Sequence, residues 1–321
     1  MTLNHKKAPV SRRNFLALAG LSAAGLYLAC SEQYVPKMLR EMMVDASRAV
    51  LLPRQTPQPH NWDNNAITAS WLGHSTVLIN FYGLTILTDP VLFRRVGADL
   101  GLGTVGPKRL VAPALTPDQL PHIDLALMSH AHMDHFDVPT VNRLPETTQA
   151  VTAKATGDLF NYTHIKDAKE LGWGEKTTVK TRNGDIAVQA FEVKHWGARW
   201  RRDTYRGYNG YVLEREGKKI IFGGDTALTD TFRSLRGRGP YELAIMPIGA
   251  YQPWVCSHCT PEQSLGMANA AGAKYFLPVH HKTFKLGQEG PHEPIHRLQA
   301  ALSKESERLA LRDIGETFTT A

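Results

Sequence analysis

Short apolar runs separated by turn residues dominate the chain from residue 66 onward. Runs of this length that are rich in β-branched and aromatic side chains predict β-strands. Asn183-Gly184 and Glu216-Gly217 indicate hairpin turns between neighbouring strands. The predicted strands are residues 69–81, 84–87, 125–128, 186–193, 211–214, 219–222, 243–246 and 275–279.

Fewer segments carry a helical pattern. Asp137 and Thr260 are N-cap candidates, since a proline lies in the first turn of the helix predicted after each. The mixture of strands and flanking helices predicts the α/β class, with helices covering sheets in a layered sandwich. The predicted helices are residues 138–143, 230–235, 261–271 and 292–303.

The amino-terminal 30 residues have the pattern of an export signal. Arg12 and Arg13 precede an apolar stretch at residues 17–29, which is short for a membrane span. The pattern resembles a bacterial twin-arginine signal. Cys30 matches the residue that lipoprotein signals lipidate, with an ordinary cleavage point as the alternative. We therefore predict export, either to the periplasm or to a membrane-anchored position facing it.

The remaining chain divides into a linker and a main domain. Residues 31–65 are predicted to be a linker with a short helix at 37–50, and residues 66–321 are predicted to be the main domain. The chain has 321 residues, of which 42% are hydrophobic, so a sizeable core is expected.

Charge narrows the choice of partner only slightly. The formal net charge is +7, and part of this excess lies in the first 13 residues. A cluster of Arg199, Arg201, Arg202 and Arg206 suits either an anionic small substrate or a solvated loop. It does not require a nucleic-acid partner. The oligomeric state does not follow from these features.

Four candidate metal ligands occupy six positions directly after the run at 125–128. They form the pattern H-x-H-x-D-H and are His130, His132, Asp134 and His135. Two histidines at i and i+2 in extended chain point the same way, so His130 and His132 can bind one cation. Asp134 and His135 fall where the chain turns into the helix that Asp137 caps, which would aim them at a second cation.

Three further candidate ligands each follow an apolar run. His195 follows residues 191–194, Asp225 follows residues 220–224, and His280 follows residues 275–279. Strand ends in a layered fold cluster at one edge, where loops leave room for a ligand pocket. The spacing along the chain allows all of these candidate ligands to converge.

Residues 69 to about 290 resemble the metallo-β-lactamase fold superfamily, an αββα sandwich with paired metals in a groove at one edge. The resemblance implies that two divalent metals are bound. Zinc is the default metal for mixed histidine and carboxylate donors, with iron or manganese as alternatives. The implied ligands are His130, His132 and His195 for the first metal and Asp134, His135 and His280 for the second, with Asp225 bridging both.

Five short motifs narrow the resemblance within the superfamily. They are Trp71-Leu72-Gly73-His74-Ser75-Thr76, Leu87-Thr88-Asp89-Pro90, His195-Trp196, Gly223-Gly224-Asp225-Thr226 and Pro278-Val279-His280. Through these motifs the chain is more similar to the N-acylphosphatidylethanolamine phospholipase D branch and related bacterial proteins. The similarity implies a substrate-facing His258, for which a structural hydrogen-bonding role is the alternative, as it is for His74. Asp89 is expected to orient metal ligands. Departures at His281-Lys282 and at residues 207–210 leave the substrate open.

These features predict a zinc-dependent hydrolase in which a hydroxide that bridges two metals attacks a phosphodiester, as a phospholipase D-like enzyme does. Asp134, Asp225 and His258 are the predicted catalytic residues. The expected substrate is a small molecule or a phospholipid. Arg199, Arg201 and Arg202 are candidate phosphate contacts.

Three other functions remain open. They are a lactonase or other carboxylic ester hydrolase of the same fold, an iron-dependent oxidoreductase of the same fold, and an envelope protein that uses its site weakly.

The tryptophans and cysteines near the predicted site also have two interpretations each. Trp196, Trp200 and Trp254 would form a wall for acyl chains or pack in the core. Cys256 and Cys259 would form a local disulfide or stay as free thiols.

Overall fold

The computed structural model describes residues 45, 47–99, 103–166 and 168–320. The predicted export signal, Cys30 and the first part of the linker lie outside the described residues, so signal, lipidation and export stay predictions. Residues 49–321 form a compact unit. Within it, Leu51 exchanges backbone hydrogen bonds with Leu110 and Ala112, so the later part of the predicted linker contacts the main domain. Among the described residues, no helix is both long and apolar enough to cross a bilayer.

The described strands form two large sheets and one small ribbon. In chain order they are β1 (Ile67–Gly73), β2 (Thr76–Phe81), β3 (Leu84–Thr88), β4 (Ala98–Asp99), β5 (Thr104–Val105), β6 (Leu125–Leu127), β7 (Gln149–Ala153), β8 (Ala168–Leu171), β9 (Lys176–Thr181), β10 (Gly184–Phe191), β11 (Gly210–Arg215), β12 (Lys218–Phe222), β13 (Tyr241–Pro247), β14 (Ala273–Val279) and β15 (Thr317–Thr319). The first sheet has the order β15-β1-β2-β3-β6-β7-β8, and the second has the order β14-β13-β12-β11-β10-β9. Among the described strands, β4 and β5 pair with each other and form the ribbon.

Four α-helices are described, and their caps follow from the sequence. They are α1 (Val138–Val141), α2 (Thr231–Leu235), α3 (Pro261–Ala271) and α4 (Glu293–Ala301), with short 3₁₀ segments at Pro59–Asn61, Pro117–Gln119, Gly157–Tyr162, Arg236–Arg238 and Ser306–Arg308. The Asp137 side chain accepts a hydrogen bond from the backbone of Thr140 at the start of α1. Thr260 and Gln263 form a reciprocal capping box at the start of α3. Both predicted caps are confirmed.

One predicted strand was wrong, because residues 69–81 form two strands instead of one. β1 and β2 run antiparallel, with Ile67 opposite Phe81. Gly73 and His74 turn the chain between them with φ values of 117° and 55°. Every residue of both strands is buried, so the apolar pattern continues almost unbroken through a very short turn.

Two apolar cores hold the layers together. The larger joins the two sheets, and the smaller joins the second sheet to helices α2, α3 and α4. Strand β13 contributes to both cores, with Leu243 and Ile245 in the first and Ala244 and Met246 in the second. This division follows from the alternation of side chains along a strand. The predicted α/β sandwich is confirmed.

The strand directions bring several chain ends to one edge of the sandwich. β3 and β6 run parallel in the first sheet, and β12, β13 and β14 run parallel in the second. β10 has the same direction as β12, because each is antiparallel to β11. The loops that follow these strands therefore gather where ligand pockets commonly form in such sheets. All of the predicted site residues except His74 lie on these loops.

Candidate metal centre

The predicted ligands converge into one cluster at this edge. Their nitrogen and oxygen atoms form overlapping groups in which each atom lies within 4.8 Å of the others in its group. The groups are His130, His132 and His195; His74, Asp134, His135 and His280; Asp89, His130 and His135; and His195, Asp225 and His258. The structure thus brings together the seven predicted metal ligands with His74, Asp89 and His258.

Three histidines form the first half of the site. His132 Nδ1 lies 2.8 Å from His130 Nε2 and 3.3 Å from His195 Nε2. His130 is buried, whereas His132 and His195 are partly accessible. Three imidazole nitrogens that face one point are a common ligand set for one zinc ion with an open fourth position.

The second half combines a carboxylate with two imidazoles. Asp134 Oδ2 lies 3.7 Å from both His135 Nε2 and His280 Nε2. The turn that presents Asp134 and His135 is closed by backbone hydrogen bonds from His135 and Phe136 to the carbonyl of His132. Phe136 is fully buried, so it anchors this turn in the core.

Asp225 lies between the two halves. Its Oδ2 is 3.0 Å from His135 Nε2, 3.1 Å from His280 Nε2 and 3.9 Å from His195 Nε2. The residue before it makes this approach possible. Gly224 has a φ of 57°, and a Cβ there would lie 2.7 Å from the Cβ of Ser129. Asp225 therefore has the position that a bridging carboxylate needs.

Hydrogen bonds to the far side of three rings fix which nitrogen faces the centre. His195 Nδ1 donates to the carbonyl of Ser257 at 2.8 Å, and His135 Nδ1 donates to Asp89 at 2.6 Å. The hydroxyl of Ser129 donates to Asp89, so it accepts from Nδ1 of His130 at 2.9 Å. In each ring the Nε2 lone pair is left to face the centre, as a metal ligand requires.

Asp89 supports both halves of the site at once. Its carboxylate contacts His135 directly, and it reaches His130 through the hydroxyl of Ser129. It also accepts a hydrogen bond from the backbone N–H of Ser129 at 2.7 Å. The sequence predicted Asp89 as an orienting residue but missed Ser129 and Ser257. The position of Ser129 directly before His130 was the available signal.

Burial and charge set the protonation states. Burial lowers the pKa of His132 to about 4 and the pKa of His195 to about 3, so both rings are neutral near pH 7. Burial would also lower the pKa of His280, but the carboxylates of Asp225 and Asp134 raise it to about 9. The carboxylate half of the site therefore favours a bound positive charge, which a divalent cation would supply.

Unpartnered buried atoms also fit a bound metal. His135 Nε2 and His280 Nε2 lie close to Asp225 but make no hydrogen bond, and Asp225 Oδ1 has no hydrogen-bond partner. Leaving buried polar atoms unpaired costs about 1 to 3 kcal/mol each in a protein. A cation would satisfy these donor atoms together, so the residues present fit metal ions of the kind that His and carboxylate ligands bind.

His74 and His258 flank the ligands in different ways. His74 is buried, and its Nε2 lies 2.9 Å from Asp134 Oδ2, so it holds a ligand in place. His258 lies at the accessible side, with Nδ1 3.8 Å from Asp225 Oδ2 and without a hydrogen-bond partner. Burial lowers its pKa to about 4, which leaves a neutral ring near the centre. The geometry therefore separates the roles of the two histidines.

The predicted arginine cluster is divided by the structure. Arg199 donates to the carbonyls of Ala131 and Phe136, and Arg206 pairs with Asp158 and Asp203. Both guanidinium groups hold the loop next to the metal centre, and a phosphate contact through the remaining nitrogens of Arg199 stays a prediction. Arg201 and Arg202 are exposed.

The two cysteines of the C-x-x-C unit are free thiols, so the disulfide alternative is not the arrangement in the structure. Cys256 is exposed, whereas Cys259 is buried and its Sγ donates to the carbonyl of Pro247 at 3.5 Å. Burial raises the pKa of Cys259 to about 12, so its thiol is protonated and acts as a small core residue.

The Asp89→Asn variant is expected to weaken metal affinity by about 10- to 100-fold, the usual effect of losing a partner that orients a ligand. An amide has one acceptor oxygen, so it cannot accept from His135, the Ser129 hydroxyl and the Ser129 backbone together. Isothermal titration of the metal-free full chain with zinc measures the change.

Asp124→Asn is the matched control for that experiment. Asp124 is also buried, but it accepts hydrogen bonds from Thr85 and Asn183, away from the ligands. This variant should lose stability and keep wild-type metal affinity. Equal losses of affinity in both variants would show that Asp89 acts only through general stability.

The chain is similar to known proteins in sequence and in fold. Residues 85–281 match the family model described as Beta-lactamase superfamily domain. An uncharacterized protein of Mycobacterium tuberculosis is 30% identical over 276 residues, which cover 83% of this chain and 72% of that protein. N-acyl-phosphatidylethanolamine-hydrolyzing phospholipase D 1 of Caenorhabditis elegans is 30% identical over 237 residues, which cover 70% of this chain and 66% of that protein. The solved structure of Igni18, a metallo hydrolase from Ignicoccus hospitalis, has a TM-score of 0.59 at 19% identity and covers 80% of this chain and 99% of that one.

Proposed function

The chain belongs to the metallo-β-lactamase superfamily and is a metal-dependent hydrolase, and from this premise we propose that it hydrolyses phosphodiesters with two bound metal ions. The observation that carries the proposal is the position of Asp225. Its Oδ2 lies within 3.1 Å of two imidazole nitrogens in one half of the site and 3.9 Å from a third in the other half. A carboxylate between a set of three imidazoles and a set of two imidazoles with a second carboxylate suits a pair of divalent cations.

The residues present would hold each ion with familiar donors. His130, His132 and His195 would hold the first, and Asp134, His135 and His280 would hold the second, with Asp225 shared. When bound, two such ions lower the pKa of water and stabilise charge on phosphoryl oxygens. Zinc is the ion we propose, since neutral imidazole and carboxylate donors suit it best.

The chain's own residues position the substrate around these ligands. His258 is neutral and partly exposed, and its buried Nδ1 has no partner, so the ring can donate a hydrogen bond to a phosphoryl oxygen as negative charge develops there. His74 and Asp89 hold Asp134 and His135, which keeps the ligand atoms fixed during turnover. We propose that His258 contacts substrate and that His74 and Asp89 are positioning residues.

The choice of a phosphodiester draws support from the relatives. The Caenorhabditis elegans relative is named as a phospholipase D that hydrolyses an N-acylated phospholipid. The similarity to that protein covers 70% of the present chain. Exposed Arg201 and Arg202 lie on the loop that follows His195, where guanidinium groups suit an anionic substrate. A phospholipid or another diester with an apolar substituent is therefore the substrate class that we propose.

A substrate panel with metal analysis tests the proposal. The full chain, loaded separately with zinc, iron or manganese, is assayed on bis(p-nitrophenyl) phosphate, an N-acylated phosphatidylethanolamine, a lactone and a β-lactam. We expect about two zinc ions per chain and a kcat/KM for phosphodiesters at least about tenfold above that for the lactone.

Other outcomes would identify the competing functions. Hydrolysis of the lactone alone would replace the proposal with a carboxylic ester hydrolase. Two tightly held irons and consumption of dioxygen would replace it with an oxidoreductase of the same fold. The His258→Asn variant should keep its metal content and lose activity, so that equal activity in this variant would remove His258 from the mechanism.

A further inference from the structure

Large apolar side chains are exposed on three loops around the metal centre. Such side chains are usually buried, and a group of them on one surface commonly marks an interaction site. One loop, residues 194–209, follows β10; the second follows Asp225; the third, residues 252–256, precedes His258. We call these side chains the aromatic rim: Trp196, Trp200, Tyr205, Leu228, Trp254 and Val255.

Contacts with the ligands place the rim at the mouth of the site. The ring centroid of Trp196 lies 4.5 Å from that of His132. The second loop joins the first through a backbone hydrogen bond from Ala227 to Lys194 at 2.7 Å. Ser257 directly follows the third loop, and its carbonyl accepts a hydrogen bond from His195. All three loops are therefore tied to the same metal ligands.

The exposed charges among these loops are predominantly positive. Lys194, Arg201 and Arg202 are exposed, whereas Asp203 is buried against Arg206. Residues 194–209 and 252–256 expose no carboxylate side chain. The exposed acid closest in sequence to the rim is Asp230, which follows Leu228 by two positions. The surface around the mouth therefore combines apolar side chains with cationic ones.

We propose that the aromatic rim docks on an anionic phospholipid bilayer and presents the metal centre to the membrane surface. Tryptophan and tyrosine have an apolar body and a polar tip and favour the headgroup level of a bilayer. Arginine and lysine near the surface are attracted to anionic headgroups. Leu228 and Val255 offer no ring on which a nucleobase could stack, so the rim fits a lipid surface better than single-stranded nucleic acid.

This docking is a binding event that goes beyond the proposed hydrolysis. It would deliver a lipid substrate to the site, but it is measured without turnover. A chain that docks without cleaving phosphodiesters, or cleaves a soluble diester without docking, would separate the two proposals.

Quenching of tryptophan fluorescence by brominated lipids tests the docking. All six tryptophans of the chain lie at residue 62 or later, so the predicted export signal contributes no fluorescence. The full chain is titrated with vesicles of phosphatidylcholine brominated on its acyl chains, with or without about 30% phosphatidylglycerol. We expect quenching that reaches half of its maximum at a much lower lipid concentration when phosphatidylglycerol is present.

Two pairs of substitutions locate the contact. Arg201→Gln/Arg202→Gln should raise the lipid concentration for half-maximal quenching on anionic vesicles by about 30-fold, since each basic residue near a membrane surface contributes roughly a fivefold effect. Lys180→Gln/Lys304→Gln removes the same charge from exposed positions outside the rim and should leave quenching unchanged. Trp200→Ser/Trp254→Ser removes two of the fluorophores, so its binding is measured by cosedimentation with the vesicles. The lipid concentration for half-maximal binding should rise by at least about tenfold on both vesicle types, with activity on a soluble diester retained.

Three outcomes would overturn docking by the rim. The first is an absence of quenching on both vesicle types, and the second is equal quenching in the arginine and lysine variants. The third is binding to a single-stranded oligonucleotide that both arginine substitutions abolish, together with no quenching by vesicles. This last result would assign the rim to nucleic acid.

Discussion

Replacing Asp225 by asparagine is expected to lower kcat/KM for a phosphodiester by roughly a thousandfold, equivalent to about 4 kcal/mol of transition-state stabilisation. Asp225 Oδ2 faces His135 Nε2 and His280 Nε2 at 3.0 and 3.1 Å. The amide keeps the shape of the side chain but loses its negative charge and one acceptor oxygen. A group that cannot bridge two cations should leave at most one of them tightly held.

Steady-state kinetics and metal analysis of the same preparation measure this effect. The matched control is Asp230→Asn, the same substitution five positions later. Asp230 is exposed and its side chain makes no capping hydrogen bond to α2, so this variant should keep wild-type activity. An Asp225→Asn variant with two metals and near-normal kcat/KM would exclude a bridging role for this carboxylate.

The clustering of the candidate ligands could be predicted from sequence because their chemistry and their position in the fold agree. His195, Asp225 and His280 each follow an apolar run, and parallel strands end at the same edge of a sheet. Few arrangements place so many histidines and carboxylates at strand ends without a shared role. The local pattern around Asp137 also specified the turn that orients Asp134 and His135, since the cap is made as expected.

The side-chain partners of the site could not be predicted in the same way. Arg199 was expected to bind phosphate, yet its guanidinium satisfies two backbone carbonyls. Sequence gives the charge of a residue but not which buried acceptors lie within its reach. The Ser257 carbonyl that fixes the His195 tautomer is a backbone group, so no residue type signals it.

Polar strands were missed for a related reason. β9 lies at the edge of the second sheet, and most of its side chains are exposed or only partly buried. Its sequence, with lysine and threonine at most positions, lacks the apolar run that identified the other strands. β9 is a strand because its backbone pairs with β10. The local sequence pattern does not show which segment will lie beside it.

Removing the bound metal with a chelator is expected to lower the melting temperature by at least about 8 °C. One site filled at a thousandfold excess over its Kd contributes about 4 kcal/mol, and each kcal/mol shifts Tm by roughly 2 to 4 °C in a domain of this size. The structure adds a specific reason. Asp134 and Asp225 place two buried or partly buried carboxylates near unpaired imidazole nitrogens. His74, Asp89 and His280 are held at φ values of 55°, 31° and 63° around the same centre.

Left-handed backbone at three non-glycine residues persists only where surrounding interactions compensate for its cost, of order 1 kcal/mol or more at each. Calorimetry of the full chain before and after chelation measures the shift, with metal loss checked on the same sample and zinc added back. His130→Ala/His135→Ala removes one ligand from each half, so its lower Tm should no longer respond to chelator. A wild-type Tm that is unchanged after verified loss of metal would contradict the view that metal binding compensates for this strained and unpaired centre.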